Sequence, residues 1–219
     1  DFCLSRGLGD VYKRQLNDYL IFSYSGSVDV ETEVVFAGYG LTLPEFGYDD
    51  YASVDVSGKI VLVFRHGPND NPAWNIAKPP FTAWMFGFKA VNAFNHGAVG
   101  MILVNDYRHG PDAGSGTLTA PGYRATFGAV WAHRTTVAEA LVADLKARHD
   151  LIDNTLTPQS VATGKTVKMV VTTEYDPERP TFNVLGMIPG TEKPNEWVIV
   201  GAHYDHLGVG PLGEIYYGA

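Results

Sequence analysis

Toward the C-terminal end of this 219-residue chain, Gly201-Ala202-His203-Tyr204-Asp205-His206-Leu207-Gly208 follows the apolar, β-branched run Trp197-Val198-Ile199-Val200. That run reads as a buried strand. A histidine and an aspartate two residues apart, just past the carboxyl end of a strand, stand where open α/β sheets place their ligands. Neutral imidazole is a good zinc ligand, and a nearby carboxylate orients it and raises its basicity. The spacing therefore makes His203 a candidate metal ligand and Asp205 the carboxylate that positions it, while His206 reads as a polar neighbour. His66, His96, His109, His133 and His149 are scattered, show no ligand spacing, and read as surface or loop histidines. Gly208-Val209-Gly210-Pro211-Leu212-Gly213 fits a dinucleotide-binding pattern in letters only. Its strand ends too early, Pro211 interrupts, and Ile215-Tyr216-Tyr217 suggests β structure where a helix N-terminus is needed.

The elements that must hold these residues follow from hydrophobic pattern. Strands are expected at residues 18–24 and 32–36, and the continuous apolar run Ile60-Val61-Leu62-Val63-Phe64 suits a central strand. A proline-rich loop spans residues 65–80. Residues 81–95 read as a helix ending at Gly97, with Phe88, Val91 and Phe94 on a near-helical spacing. Trp84, Phe86, Phe88 and Phe94 read as core packing. Further strands are expected at 98–104 and 127–131. Thr136 and Glu139 have the spacing of a capping box for a helix running to about Arg148. Residues 151–164 read as a linker. Beyond them come strands at 167–173, 183–188 and 197–201, the last two joined as a hairpin through Pro189-Gly190.

Composition sets outer bounds. The chain is 45% hydrophobic and 18% charged, as expected of a globular protein with a sizeable core. It has no run of roughly 20 apolar residues that would span a bilayer. Its net charge of −8 argues against a nucleic-acid surface, which needs clustered Lys and Arg. Residues 5–15 back-translate, codon by codon, into an adapter used in transposase-based DNA library preparation. Residues 1–15 are therefore expected to be non-native and are set aside from fold reasoning. Cys3, the single cysteine, goes with them, so disulfide reasoning says nothing about compartment.

Two family resemblances carry the reading further. Gly38-Tyr39-Gly40, Tyr48-Asp49-Asp50-Tyr51, Val56-Ser57-Gly58-Lys59 with the strand after it, Phe88-Lys89-Ala90, and residues 97–104 together resemble a protease-associated (PA) domain. Asn183-Val184-Leu185-Gly186, Ile188-Pro189-Gly190 and Gly201-Ala202-His203-Tyr204-Asp205 resemble the start of a zinc aminopeptidase domain of peptidase family M28. The implied fold class is α/β: a β-rich PA domain with flanking helices, then the first strands of an α/β zinc-peptidase domain of the phosphorylase/hydrolase-like type. The expected division is an adapter-derived segment at 1–15, an N-terminal segment at 16–31, the PA domain at 32–155 and the peptidase start at 156–219, with the protein truncated at both ends.

The resemblance implies a metallo-aminopeptidase that removes N-terminal residues from peptides with a water activated by two Zn2+ ions. It makes His203 a metal ligand and gives Asp205 the orienting catalytic role. Glu214 falls in the lead-in to the family's bridging-aspartate motif and reads as a loop residue. The remaining ligands and the general base are expected after Ala219, which leaves the fragment inactive alone and its unfinished sheet prone to aggregate. Peptides are the expected partners, with no nucleic acid and no membrane span. Location is expected to be extracellular or periplasmic. Two alternatives stay open: a non-catalytic PA-domain interaction scaffold, and another enzyme on the same zinc fold, such as a carboxypeptidase or a glutaminyl cyclase.

Overall fold

A computed structural model describes residues 2–6, 9–13, 18–68, 71, 79–109, 112, 126–173, 184–193, 195–202, 208–209 and 215–216. The chain divides into two compact units, Asp1–Thr173 and Glu174–Ala219. The first contains strands β1 (Phe2–Arg6), β2 (Gly9–Lys13), β3 (Tyr19–Ile21), β4 (Val28–Phe36), β5 (Thr42–Leu43), β6 (Tyr48–Asp49), β7 (Ile60–Phe64), β8 (Gly100–Val104), β9 (Gly128–Ala132) and β10 (Val161–Val171). Its helices are α1 (Phe86–Asn95), the short α2 (Glu139–Leu141) and α3 (Leu145–Thr155). Eight strands form one sheet in the order β2-β1-β10-β4-β7-β8-β9-β3, while β5 and β6 pair separately. The inner run β4-β7-β8-β9 is parallel, and the outer pairings are antiparallel.

Every residue of β7, β8 and β9 is buried, because both faces of the sheet are covered. Side chains alternate between two cores. Ile60, Leu62 and Phe64 join Ile102, Val104 and Val130, with Leu145 and Ile152 of α3. Val61 and Val63 join Met101, Leu103 and Trp131, with Ala90 and Ala93 of α1. The helix α1 starts later than expected, after a single 3-10 turn at Phe81–Trp84, and it turns a different face inward. Lys89, Ala90 and Ala93 are buried, whereas Phe94 is 38% exposed. Small residues let the helix backbone lie close to the sheet. The helix closes at Gly97 (φ +86), whose N–H donates to the Phe94 carbonyl at 2.9 Å.

Several expectations are corrected. Thr136 and Glu139 form no capping box: residues Arg134–Ala138 make a π-type turn with no side-chain cap bond from its own N-cap. Asp112 accepts from the Arg134 and Thr135 amides instead, and Glu139 accepts from the Tyr107 hydroxyl at 2.8 Å. Val142 is extended, so the helix breaks there and restarts as α3. Residues 151–164 thus hold the end of α3, a short connection at 156–160 and the start of β10, which lies within the main sheet. The set-aside N-terminal segment also enters the fold, with β1 pairing to β10 through Phe2↔Met169. The outer edge of β10 offers unpaired N–H and C=O groups, which an extended segment satisfies.

In the second unit, the described pairing is β11 (Gly208–Val209) with β12 (Ile215–Tyr216). Gly208 therefore belongs to a strand pair whose other member, Ile215–Tyr216, has the β structure expected there. The expected hairpin of 183–188 with 197–201 is absent among the described residues. Val198, Ile199 and Val200 are 94%, 89% and 91% exposed and lie outside regular structure. A β-branched run with no partner strand has no ladder to hold it. Among the described residues, no helix is long and apolar enough to cross a membrane.

Candidate functional site

His203, Asp205, His206 and Glu214 lie outside the described residues. The polar cluster that the structure does describe sits at the carboxyl ends of the parallel strands, where such sheets gather ligands. In the β7/β8 register Phe64 pairs with Val104, so His66 and Asp106 each follow that pair by two residues. His109 comes from the same loop as Asp106. His66 Nδ1 lies 2.6 Å from Asp106 Oδ2, and His109 Nδ1 lies 3.1 Å from Asp106 Oδ1. The Arg108 and His109 amides donate to Oδ1 at 2.8 and 2.7 Å. Burial alone would raise the Asp106 carboxyl; the His66 hydrogen bond, the two amides and the His109 ring outweigh it and hold it down to about 2. An ionised carboxylate only accepts, so both imidazoles meet it through Nδ1–H.

The surroundings fix this arrangement. Arg134 donates to the Asp106 carbonyl at 2.7 Å and to the Asn105 carbonyl at 3.2 Å, holding the backbone that carries the carboxylate. Arg108 pairs with Asp153 of α3 at 2.9 Å, and Tyr39 donates its hydroxyl to the same carboxylate at 2.6 Å. His149 is fully buried, edge-on to Phe64 and Tyr107. It is a core residue, not the surface histidine expected. His96 stacks on Tyr51 with ring centroids 4.2 Å apart.

A second buried polar group lies between the sheet and α1. Asp50, fully buried, accepts from the Tyr39 and Leu41 amides at 3.0 and 3.1 Å and from the Tyr48 hydroxyl at 2.9 Å. Lys89 is also fully buried and donates to the Tyr39 carbonyl. Burial raises Asp50 to about 7 against those hydrogen bonds, and burial lowers Lys89 to about 7 against the attraction of Asp50. Gly38, at φ +50, leaves room for the Asp50 carboxylate.

Residues 30–132 match the PA domain family model, and residues 183–219 match the model of Peptidase family M28. The chain thus resembles a PA domain followed by a segment of peptidase family M28. Strands β7, β8 and β9, α1 and the His66, Asp106 and His109 cluster all fall within the PA match, whereas His203 and Asp205 fall within the M28 match. Among solved structures, an aminopeptidase from Aneurinibacillus sp. strain AM-1 is similar at 22% identity and a TM-score of 0.44, over 78% of this chain and 30% of that one. A zinc aminopeptidase from Bacillus subtilis matches at 17% identity and a TM-score of 0.43, over 78% and 29%. A peptidase M28 precursor from Shewanella amazonensis SB2B matches at 17% and 0.40, over 79% and 34%. The chain thus spans about a third of the length of each. A comparison with curated proteins finds no match.

The convergence of His66, Asp106 and His109 was missed in the sequence. The aspartate and second histidine stand three apart, a spacing that was visible. His66 joins them only because β7 and β8 are adjacent, parallel and in that register.

Proposed function

We propose that this chain is the PA-bearing part of a zinc-dependent metallo-aminopeptidase that hydrolyses N-terminal residues from peptides. The observation carrying this reading is the match of residues 183–219 to Peptidase family M28, which contains Gly201-Ala202-His203-Tyr204-Asp205. In this reading His203 ligates one of two zinc ions and Asp205 holds its imidazole in the ligating tautomer. Zinc, when bound, polarises the scissile carbonyl and lowers the pKa of a bound water. The PA domain, residues 32–155 in the expected division, contributes to substrate size selection or partner binding. The protein acts on peptides outside the cytoplasm, in the periplasm or the extracellular medium.

One assigned imidazole does not make a two-metal site, because affinity comes from several ligands in fixed geometry. The 219 residues by themselves are therefore expected to hydrolyse no aminoacyl-p-nitroanilide, with or without added Zn2+. The same assay on a longer protein that includes the rest of the M28 domain is expected to show zinc-dependent release that His203→Ala abolishes. Full activity in that variant would overturn the assignment of His203. Activity of the 219-residue chain would overturn its inactivity.

A further inference from the structure

We infer that His66, Asp106 and His109 form a divalent transition-metal site in the PA domain, independent of the peptidase motif. One ligand atom from each residue lies within 4.8 Å of the others. Two ligand atoms on one zinc-sized ion, each bonded at about 2.0–2.2 Å, stand roughly 3–3.5 Å apart. Small side-chain rotations, with the proton on each Nδ1 moved to Nε2 so that Nδ1 is free to ligate, close the cluster on such an ion. Two imidazoles and one carboxylate suit zinc and its neighbours in the first transition row, not calcium or magnesium, which take oxygen ligands. Such a set leaves further coordination positions for water.

Three observations set this cluster apart from a chance meeting of polar residues. First, the carboxylate is fully buried yet has an imidazole on each of its oxygens, with the histidine side chains 26% and 32% exposed. An ion can reach the site, and the aspartate is already fixed for it. Second, the nearby guanidinium groups are engaged elsewhere, Arg108 on Asp153 and Arg134 on backbone carbonyls, so Asp106 keeps its negative charge for the site. Third, His66 has φ +62. Histidine is among the few side chains enriched in that left-handed region, where holding a residue other than glycine still costs free energy. In that conformation its imidazole meets the Asp106 carboxylate. The ion clips the loop after β7 to the loop after β8.

The test uses the whole 219-residue chain, stripped with chelator and titrated with Co2+, whose histidine-bound form absorbs visible light, followed by displacement with Zn2+. One equivalent of Co2+ is expected to bind, with the absorption retained in His203→Ala. His66→Gly, which suits the local backbone, and His109→Ala are each expected to weaken binding at least about tenfold, with an unchanged far-UV circular dichroism spectrum. The inference is overturned if the wild type takes up no Co2+, if His203→Ala removes all of it, or if both loop variants bind as the wild type does.

Discussion

Substituting Gly38 by alanine tests whether the Asp50 pocket holds the PA sheet to the loops around it. An added Cβ would lie 2.1 Å from Asp50 Oδ1 and 2.7 Å from its Cγ, and the residue already has φ +50. The carboxylate has to retreat by at least about 1.3 Å to reach ordinary van der Waals contact. It then loses at least two of its three bonds from the Tyr39 amide, the Leu41 amide and the Tyr48 hydroxyl. Hydrogen bonds to a charged group contribute about 1.5–3 kcal/mol each, so two amount to roughly 3–6 kcal/mol. The left-handed backbone adds about 1–2 kcal/mol for a residue with a Cβ. The expected loss is therefore on the order of 4–8 kcal/mol, comparable with the whole stability of a typical domain. Gly47 supplies the control: it has φ +64 but nothing within 4 Å of an added Cβ, so Gly47→Ala should cost only the backbone term. Urea unfolding followed by tryptophan fluorescence reports on this unit through buried Trp131. If Gly38→Ala is no more destabilising than Gly47→Ala, the carboxylate pocket does not carry the load assigned to it.

The Asp50 and Lys89 pair should give a distinct pH signature. The folded value of Asp50 is raised from 3.8 to about 7, so its contribution is fully present below about 4 and is lost as pH rises through 7. Lys89 is lowered from 10.5 to about 7, so its contribution is present above about 10.5 and is lost as pH falls through 7. The stability of the wild type relative to the Asp50→Asn/Lys89→Met double variant should therefore be lowest near pH 7, as read by urea midpoints from pH 4 to 10; a monotonic difference would contradict this. Ile102→Ala, at a fully buried position of β8, should cost about 2–5 kcal/mol, whereas Val198→Asp, at 94% exposure, should stay within about 0.5 kcal/mol in the same assay.

Legibility in the sequence followed how locally each feature is determined. Ile60-Val61-Leu62-Val63-Phe64 announced a strand covered on both faces, because alternation disappears only when both sides are dry. The turn at Gly97 was visible for the same local reason. The inward face of α1 was legible only in part: Phe86 and Phe88 pack partly buried against the two cores, but the buried positions are Ala90, Ala93 and Lys89, and Phe94 turns outward. Residues 151–164 look polar because they hold the solvent-facing end of α3, a short connection and the alternating start of β10, which together resemble a linker until the partner strand of β10 is known. The His66, Asp106 and His109 cluster depends on strand adjacency across about forty residues, which no local pattern encodes. The His203 and Asp205 motif was legible as a short family signature rather than from packing.

The order of the strands also governs when this unit can form during synthesis. The first strand of the parallel run, β4, pairs with β10 through Val28↔Val171, while β3, at the opposite edge, pairs with β9 through Tyr19↔Ala132. Both outer pairings bring early residues to late ones, so their loops close only after long stretches of intervening chain have been made. A ribosome that has released the chain only as far as residue 100 has exposed β4 and β7 without β9 or β10. The nascent sheet is then apolar and open at its edges, and its protection up to residue 171 falls to chaperones rather than to the fold itself.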